Sequence, residues 1–538
     1  MGHVDERDDN CRGRLWRLKV RTTYKLVEQA FRPAVAAVVL FALAGGPLGQ
    51  AVQPTFPVKR VESAETWQRD GWNNVDRAKR EKIRSRKAKN VILFIGDGMG
   101  VSTLTAARIL EGQMRGESGE ENRLSFEEFP FSALSKTYSV NQQTSDSAPT
   151  MSAIITGVKT NDGIISVNQK VVNSDYRTSS GNEAKTLLEY AEESGRSTGV
   201  VTTARLTHAT PAACYAHTAD RDWESDKDIF GQRKDAYEAK YPDIARQLIE
   251  FKYGDGLEVA MGGGRLKFIP DTMSDPEYAN RKGDRMDGRN LTAEWMAKPG
   301  AAFVWNKRQF DALDPKRDKH VLGLFEPSHM QYETDRARDS AGEPSLSEMT
   351  SKAMDLLSTN KKGYFLMVEG GRIDHGHHAG NAYRALREAI ALSDAVRTAV
   401  RRVDLDETLI IVTADHSHTL FIQGYPARGN NILGLVRQIG AGGEPTPDYA
   451  VDRDRKPYTT LGYANGPGAR AAQRPELTQQ TVLAPDYKQE SNIPKSDETH
   501  GGEDVAVFAI GANAHLIRGS MEQNWIFYIM ADALRLAR

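Results

Sequence analysis

Tyr364-Phe365-Leu366-Met367-Val368-Glu369-Gly370-Gly371-Arg372-Ile373-Asp374-His375-Gly376-His377-His378-Ala379-Gly380 joins two patterns without a break. Residues 364–368 are a continuous apolar run closed by a Gly-rich turn, which suits a strand buried on both faces. Beyond the turn, one carboxylate and three imidazoles fall within five residues. Asp374 and His378 stand four apart, so a helical turn projects both onto one face, where they can grip one metal ion.

The same unit recurs outward from this stretch. Short β-branched or apolar runs at 91–95, 199–203, 257–261, 409–413 and 505–510 alternate with turns and helical stretches. Leu386, Ala389, Ile390, Val396, Ala399, Val400 and Val403 have helical spacing. Alternating strands and helices predict an α/β fold, with a large central, mostly parallel β-sheet flanked by helices on both faces. Between 419 and 493 Gly, Pro, Asn and polar residues dominate, which reads as a loop-rich surface insertion. The predicted organisation is a leader at 1–51, an N-terminal surface helix within 52–89, a core at 90–418, the insertion at 419–493 and completion of the core at 494–538.

Composition excludes several classes. In a chain of 538 residues the net charge is -1 with 27% charged residues, so no field of one sign points to a nucleic-acid partner. Arg12, Arg14, Arg17, Lys19, Arg21, Lys25 and Arg32 precede an apolar run at 34–44, followed by small residues. This reads as a secretory signal, with an uncleaved membrane anchor as the alternative, and predicts an exported, periplasmic or extracellular protein. The C-terminal residues lack the hydrophobic tail of a lipid-anchor signal. Of the two cysteines, Cys11 would leave with the signal, so Cys214 has no internal disulfide partner.

The chemistry-bearing residues line up with the runs. Asp97 follows 91–95, Thr210 lies beyond 199–203, Glu369 ends 364–368, Asp415 and His416 follow 409–413, and His500 precedes 505–510. In open α/β sheets the ligand crevice lies outside the carboxyl ends of the strands. Taken alone, Asp97 in Gly96-Asp97-Gly98 is an aspartate in a tight turn. Ser147, in Asp146-Ser147-Ala148-Pro149-Thr150, begins a predicted helix and is either an ordinary N-cap or a nucleophile favoured by the helix dipole. No base partner for it is evident, so its activation would have to come from a metal. Arg221 offers a planar fork for phosphate oxygens, or a surface salt bridge to Asp220 or Asp222. Six of the twelve histidines lie in three short segments, and converging carboxylates would repel one another without cations.

Together Gly96-Asp97-Gly98-Met99-Gly100, Asp146-Ser147-Ala148, His208-Ala209-Thr210-Pro211, 368–378, 413–418 and 499–504 resemble the alkaline phosphatase family, in family order over nearly the whole mature chain. The resemblance implies a homodimeric phosphomonoesterase of broad range, working through a phosphoserine on Ser147. It implies one zinc on Asp374, His378 and His500, a second on Asp97, Asp415 and His416 with Ser147 beside it, and magnesium on Asp97, Thr210 and Glu369. Arg221 would clamp the phosphoryl group. His208 and His375, near the magnesium position, match the animal branch, where the best-known bacterial members carry Asp and Lys. Asp146, His375 and His418 would support the ligands from behind. The animal branch also implies a calcium site, here Glu277, Glu326, Glu343 and the Phe325 carbonyl, with Glu343 standing where that branch has Asp. The insertion resembles the family's crown in position. Two rivals remain at this level: a sulfatase or diesterase on the same core, and a non-catalytic zinc-binding or phosphate-scavenging protein. The Ser147 context lacks the Cys-x-Pro-x-Arg setting that a sulfatase needs.

Overall fold

The computed structural model describes residues 62–469 and 474–536, so the predicted leader lies outside the described residues. The strands of its main sheet are β1 (Asn90–Gly96), β2 (Phe131–Lys136), β3 (Ser197–Arg205), β4 (Val259–Gly263), β5 (Ala301–Val304), β6 (His320–Leu324), β7 (Tyr364–Gly370), β8 (Thr408–Ala414), β9 (Val505–Gly511) and β10 (Gly519–Glu522). Their order is β10-β2-β9-β8-β1-β7-β3-β4-β6-β5. Among the described residues β9 alone runs against the others, antiparallel to both β8 and β2.

The central strands are apolar throughout because the sheet is covered twice. Val91, Leu93 and Ile95 of β1 face a core shared with the helices Ser147–Thr156, Leu187–Glu193 and Trp525–Leu534. Ile92 and Phe94 face the opposite core, built with Val101–Met114, Leu346–Leu357 and Ala382–Val400. Alternate side chains leave a strand on opposite faces, so a strand between two cores cannot alternate apolar with polar. The predicted runs fall on β1, β3, β4, β7, β8 and β9. Composition missed β2, β5, β6 and β10, which lie toward the sheet edges.

N-terminal to the sheet, the helix Ala64–Arg80 starts at a Ser63 capping box and buries none of its residues. Residues 419–493 hold more regular structure than their composition suggests. Leu420–Ile422, Leu461–Gly466 and Ser491–Pro494 form a three-stranded sheet, and Arg437–Ile439 pairs with Pro445–Tyr449.

Candidate metal centre

Register brings the predicted residues together. Gly96 at the end of β1 pairs with Ala414 at the end of β8, so Asp97 and Asp415, each one residue further on, leave the sheet side by side. Ile95 pairs with Glu369 on the other flank. Gly98 has φ +68°, a left-handed conformation that disfavours a side chain, and a Cβ there would lie 2.4 Å from the His418 ring. Its N–H donates to Asp415 Oδ1 at 3.0 Å. The helix Arg372–His378 follows β7 and presents Asp374 and His378. His500 arrives on a two-residue ladder that pairs it with His418.

Ser147 is the first residue of the buried helix Ser147–Thr156, whose cap is Asp146, with Ala148 N–H donating to Asp146 Oδ1 at 2.7 Å. Its hydroxyl lies 3.2 Å from Asp97 Oδ1 and 3.1 Å from His416 Nε2. The helix is capped already, so Ser147 is not an ordinary N-cap serine. Arg221 is held through Asp146 Oδ2 at 3.2 Å and lies 3.9 Å from Asp222. One of its N–H groups also faces His208 Nε2 at 3.0 Å. The guanidinium therefore meets Asp146, the residue just before the serine, rather than pairing only with its sequence neighbours.

Nitrogen and oxygen donors converge in three overlapping groups. Asp374 Oδ1 lies 3.1 Å from His378 Nε2, 3.4 Å from His500 Nε2 and 2.8 Å from His418 Nε2. Asp97, Asp415 and His416 bring one ligand atom each within 4.8 Å of one another, as do Asp97, His208 and Glu369. Thr210 sits in the short helix after β3, with His208 as its cap. Asp97 Oδ2, Asp415 Oδ2, Glu369 Oε1, Thr210 Oγ1 and His208 Nδ1 are all buried with no hydrogen-bond partner. Buried polar atoms are rarely left so, and five together fit a set of cation ligands.

Electrostatics agrees. Like charges at such separations repel by on the order of 3 kcal/mol per pair at an effective dielectric of about 20. Burial, reinforced by Asp415 and Asp374, holds the Asp97 carboxyl well above its usual range and pushes Glu369 up to about 8. Burial also opposes charging His416, yet Asp415 and Asp97 outweigh it and raise the imidazole to about 10. Its stacked neighbour His500, with ring centroids 3.7 Å apart, is pushed down to about 4 by burial and by His416. Protons stand where cations would relieve the same field. Burial and Arg221 hold His208 well below its usual value, and burial and Arg372 push His375 down to about 3, so both rings stay neutral.

The alkaline phosphatase family model matches residues 88–536. The chain belongs to the alkaline phosphatase family. It is 43% identical to the tissue-nonspecific isozyme of Rattus norvegicus over 496 residues, covering 90% of this chain and 91% of the relative. It is 45% identical to an alkaline phosphatase of Gadus morhua, covering 84% and 93%. The fold matches the alkaline phosphatases of Thermus thermophilus, with TM-score 0.59 and 22% identity over 86% and 94% of the chains, and of the Antarctic bacterium TAB5, with TM-score 0.55 and 22% identity over 84% and 100%. Alkaline phosphatases are metal-dependent, and the convergent ligand sets above fit that requirement.

A second cluster lies away from this centre. Glu277, Glu326 and Asp339 bring carboxylate oxygens within 4.8 Å of one another. Burial, with Glu326 and Asp339 adding, pushes Glu343 up to about 9, and its Oε2 has no partner. Phe325 directly precedes Glu326 at the end of β6, and its side chain packs on Phe310.

Asp339 was missed in the sequence because nothing in its loop marks it. Glu498 was missed as well. It accepts from His418 Nδ1 at 2.5 Å and Thr419 N–H at 2.7 Å, while its backbone oxygen meets His378 Nδ1 at 2.6 Å. His329 is a third, with its ring 4.0 Å from His375. The only signal available for these three was residue type, since each is isolated in sequence from the partners it meets.

Proposed function

We propose that this enzyme, an alkaline phosphatase and so a phosphomonoesterase, acts on a broad range of phosphate monoesters through a phosphoserine on Ser147 and releases inorganic phosphate. The carrying observation is the Ser147 hydroxyl, 3.1 Å from His416 and 3.2 Å from Asp97, at the buried N-terminus of a helix beside Arg221. We assign zinc to Asp374, His378 and His500, a second zinc to Asp97, Asp415 and His416, and magnesium to Asp97, Thr210 and Glu369, with His208 beside it. The mixed imidazole and carboxylate sets suit zinc, and the oxygen-rich set suits a hard cation. When bound, these metals supply Lewis acidity and neutralise charge around the phosphoryl group.

The chain's own residues do the rest. Arg221, braced by Asp146, would offer N–H groups to phosphoryl oxygens, and the helix N-terminus adds its partial positive charge. Ser147 Oγ attacks phosphorus, and the proton it gives up passes to the ester oxygen, which leaves as alcohol from the opposite side. Water then repeats the displacement on phosphoserine and restores the hydroxyl. His418, between Asp374 and Glu498, fixes the orientation of Asp374. Rates on p-nitrophenyl phosphate, its bis-ester and its sulfate, measured with the metal content, test the reading. The monoester should be faster by orders of magnitude, and Ser147→Ala should abolish phosphate labelling. A diester or sulfate turned over as fast as the monoester would overturn it.

The second cluster is assigned to calcium, on Glu277, Glu326 and Glu343 with the Phe325 carbonyl, and with Asp339 added from the structure. A homodimer is supported by the helix Ala64–Arg80, which exposes Trp67 and Trp72 at 55% and 67%; sedimentation of the full chain tests it. Export rests on the N-terminal pattern, and no helix among the described residues is long and apolar enough to cross a membrane. The organisation into core, crown and completing segment is proposed with the boundaries given above.

A further inference from the structure

His377 is the one member of the opening cluster without a place in the chemistry. It follows Asp374 by three positions and precedes His378 by one, so its side chain turns about 100° away from His378 around the helix. The ring is fully buried. Its Nε2 meets Thr103 Oγ1 at 3.0 Å and its Nδ1 meets the Tyr463 hydroxyl at 2.8 Å. The ring also lies 4.7 Å from His418, tilted by 31°. Tyr463 is fully buried too, on the crown strand Leu461–Gly466.

Two residues further along that strand, and so on its same face, Asn465 grips the other half of the site. Its amide nitrogen donates to Thr499 Oγ1 at 2.8 Å, and its amide oxygen accepts from Thr499 N–H at 3.0 Å. Thr499 immediately precedes His500. Gly466 closes the contact, because a Cβ there would come within 3.1 Å of the Glu498 Cβ.

We propose that the strand Leu461–Gly466 is a positioning element for the Asp374, His378 and His500 half-site. Tyr463 sets the helix that carries Asp374 and His378, and Asn465 sets the segment that carries His500. These ligands come from segments more than a hundred residues apart, joined directly by the ladder that pairs His500 with His418 and by Glu498, whose backbone oxygen meets His378 Nδ1 at 2.6 Å. The crown strand touches both, so it fixes the distance between them. A metal held by ligands whose spacing is preset is lost more slowly than one that must order them. The inference rests on the assignment of zinc to this half-site.

The test uses the full-length enzyme as wild type, Tyr463→Phe, Asn465→Ala and the conservative Asn465→Asp, which keeps the acceptor for Thr499 N–H. Ile439→Ala, at an exposed crown position, serves as control. Zinc content is counted, release into a chromogenic chelator is timed, and thermal midpoints are taken with and without metal. Tyr463→Phe and Asn465→Ala should each speed one phase of zinc release by about tenfold and shrink the rise in midpoint that metal gives. Asn465→Asp should fall between them and wild type, and Ile439→Ala should match wild type. A merely structural role predicts that both midpoints fall together, with the rise and the release rate unchanged, and that result overturns the proposal. Wild-type enzyme carrying no zinc would instead overturn the metal assignment itself.

Discussion

The two carboxylate clusters look alike in charge and differ in almost everything else. In the central one burial pushes Glu369 up to about 8; in the outer one it pushes Glu343 up to about 9. The central cluster interleaves its carboxylates with His378, His416, His500 and the Ser147 hydroxyl. The outer cluster offers oxygen alone, backed by Arg265, which binds Asp275 at 2.7 Å and Glu277 at 3.0 Å. Mixed nitrogen and oxygen sets suit zinc, and all-oxygen sets suit hard cations such as calcium and magnesium. On the proposed assignments the first cluster serves the chemistry and the second the scaffold.

The largest test of that division is on turnover. Asp374→Ala should lower kcat/KM by at least about a thousandfold, because the ligand set proposed for zinc then loses its anionic member. Glu326→Ala should change kcat/KM by less than about threefold at 25 °C. Equal losses from the two substitutions would erase the distinction.

Next comes stability against pH in enzyme stripped of metal. Glu369 sits near 8 in the folded protein and at 4.5 in the unfolded chain, so the folded state holds its proton more tightly. Its stabilising contribution is complete below about 4.5 and is lost as pH rises through 8, on the order of a few kcal/mol. Urea midpoints of the stripped enzyme should fall over that window. Glu369→Gln should flatten the fall, and zinc with magnesium should flatten it in the wild type. Glu343 acts in the same direction up to about 9, so Glu343→Gln should also flatten the fall from about 4.5 upward, and between about 8 and 9 it should do so where Glu369→Gln does not. A Glu369→Gln enzyme, stripped of metal, whose midpoints fall as steeply as the wild type's between pH 5 and 8 would show that Glu369 is not strained as described.

The central cluster was legible in the sequence and the outer one was not, for a physical reason. Asp97 and Asp415 leave adjacent strands at paired positions and Glu369 ends the apolar run of the next strand, so an apolar run closed by a carboxylate already marks all three. Asp374 and His378 carry helical spacing. Glu277, Asp339 and Glu343 sit on loops, and Glu326 just follows a short strand; only resemblance suggested three of them, and nothing suggested Asp339. His377 shows the opposite failure. It looked like part of the motif, but helix geometry turns it to the back, toward Thr103 and Tyr463. Composition also hid the crown strand, since Gly462, Asn465 and Gly466 read as loop until Tyr463 and Asn465 are seen to face the site.

The smaller predictions divide the outer cluster itself. Calcium at a hundred times its Kd should stabilise the wild type by about 2.7 kcal/mol, and Glu343→Gln should cut that gain to less than about 1 kcal/mol. Asp339 supplies the finest distinction. Both its carboxylate oxygens are buried without a hydrogen-bond partner, and the group lies with Glu277 and Glu326. If Asp339 is a direct ligand, Asp339→Asn keeps the shape but removes one charge from the set, and calcium affinity should fall about tenfold, or about 1.4 kcal/mol, with kcat unchanged. If Glu343 does the binding and Asp339 only adds to the field, the Asn variant should lose far less than Glu343→Gln. Calorimetric titration of both variants separates the cases: near-equal losses make Asp339 a ligand that the sequence did not show.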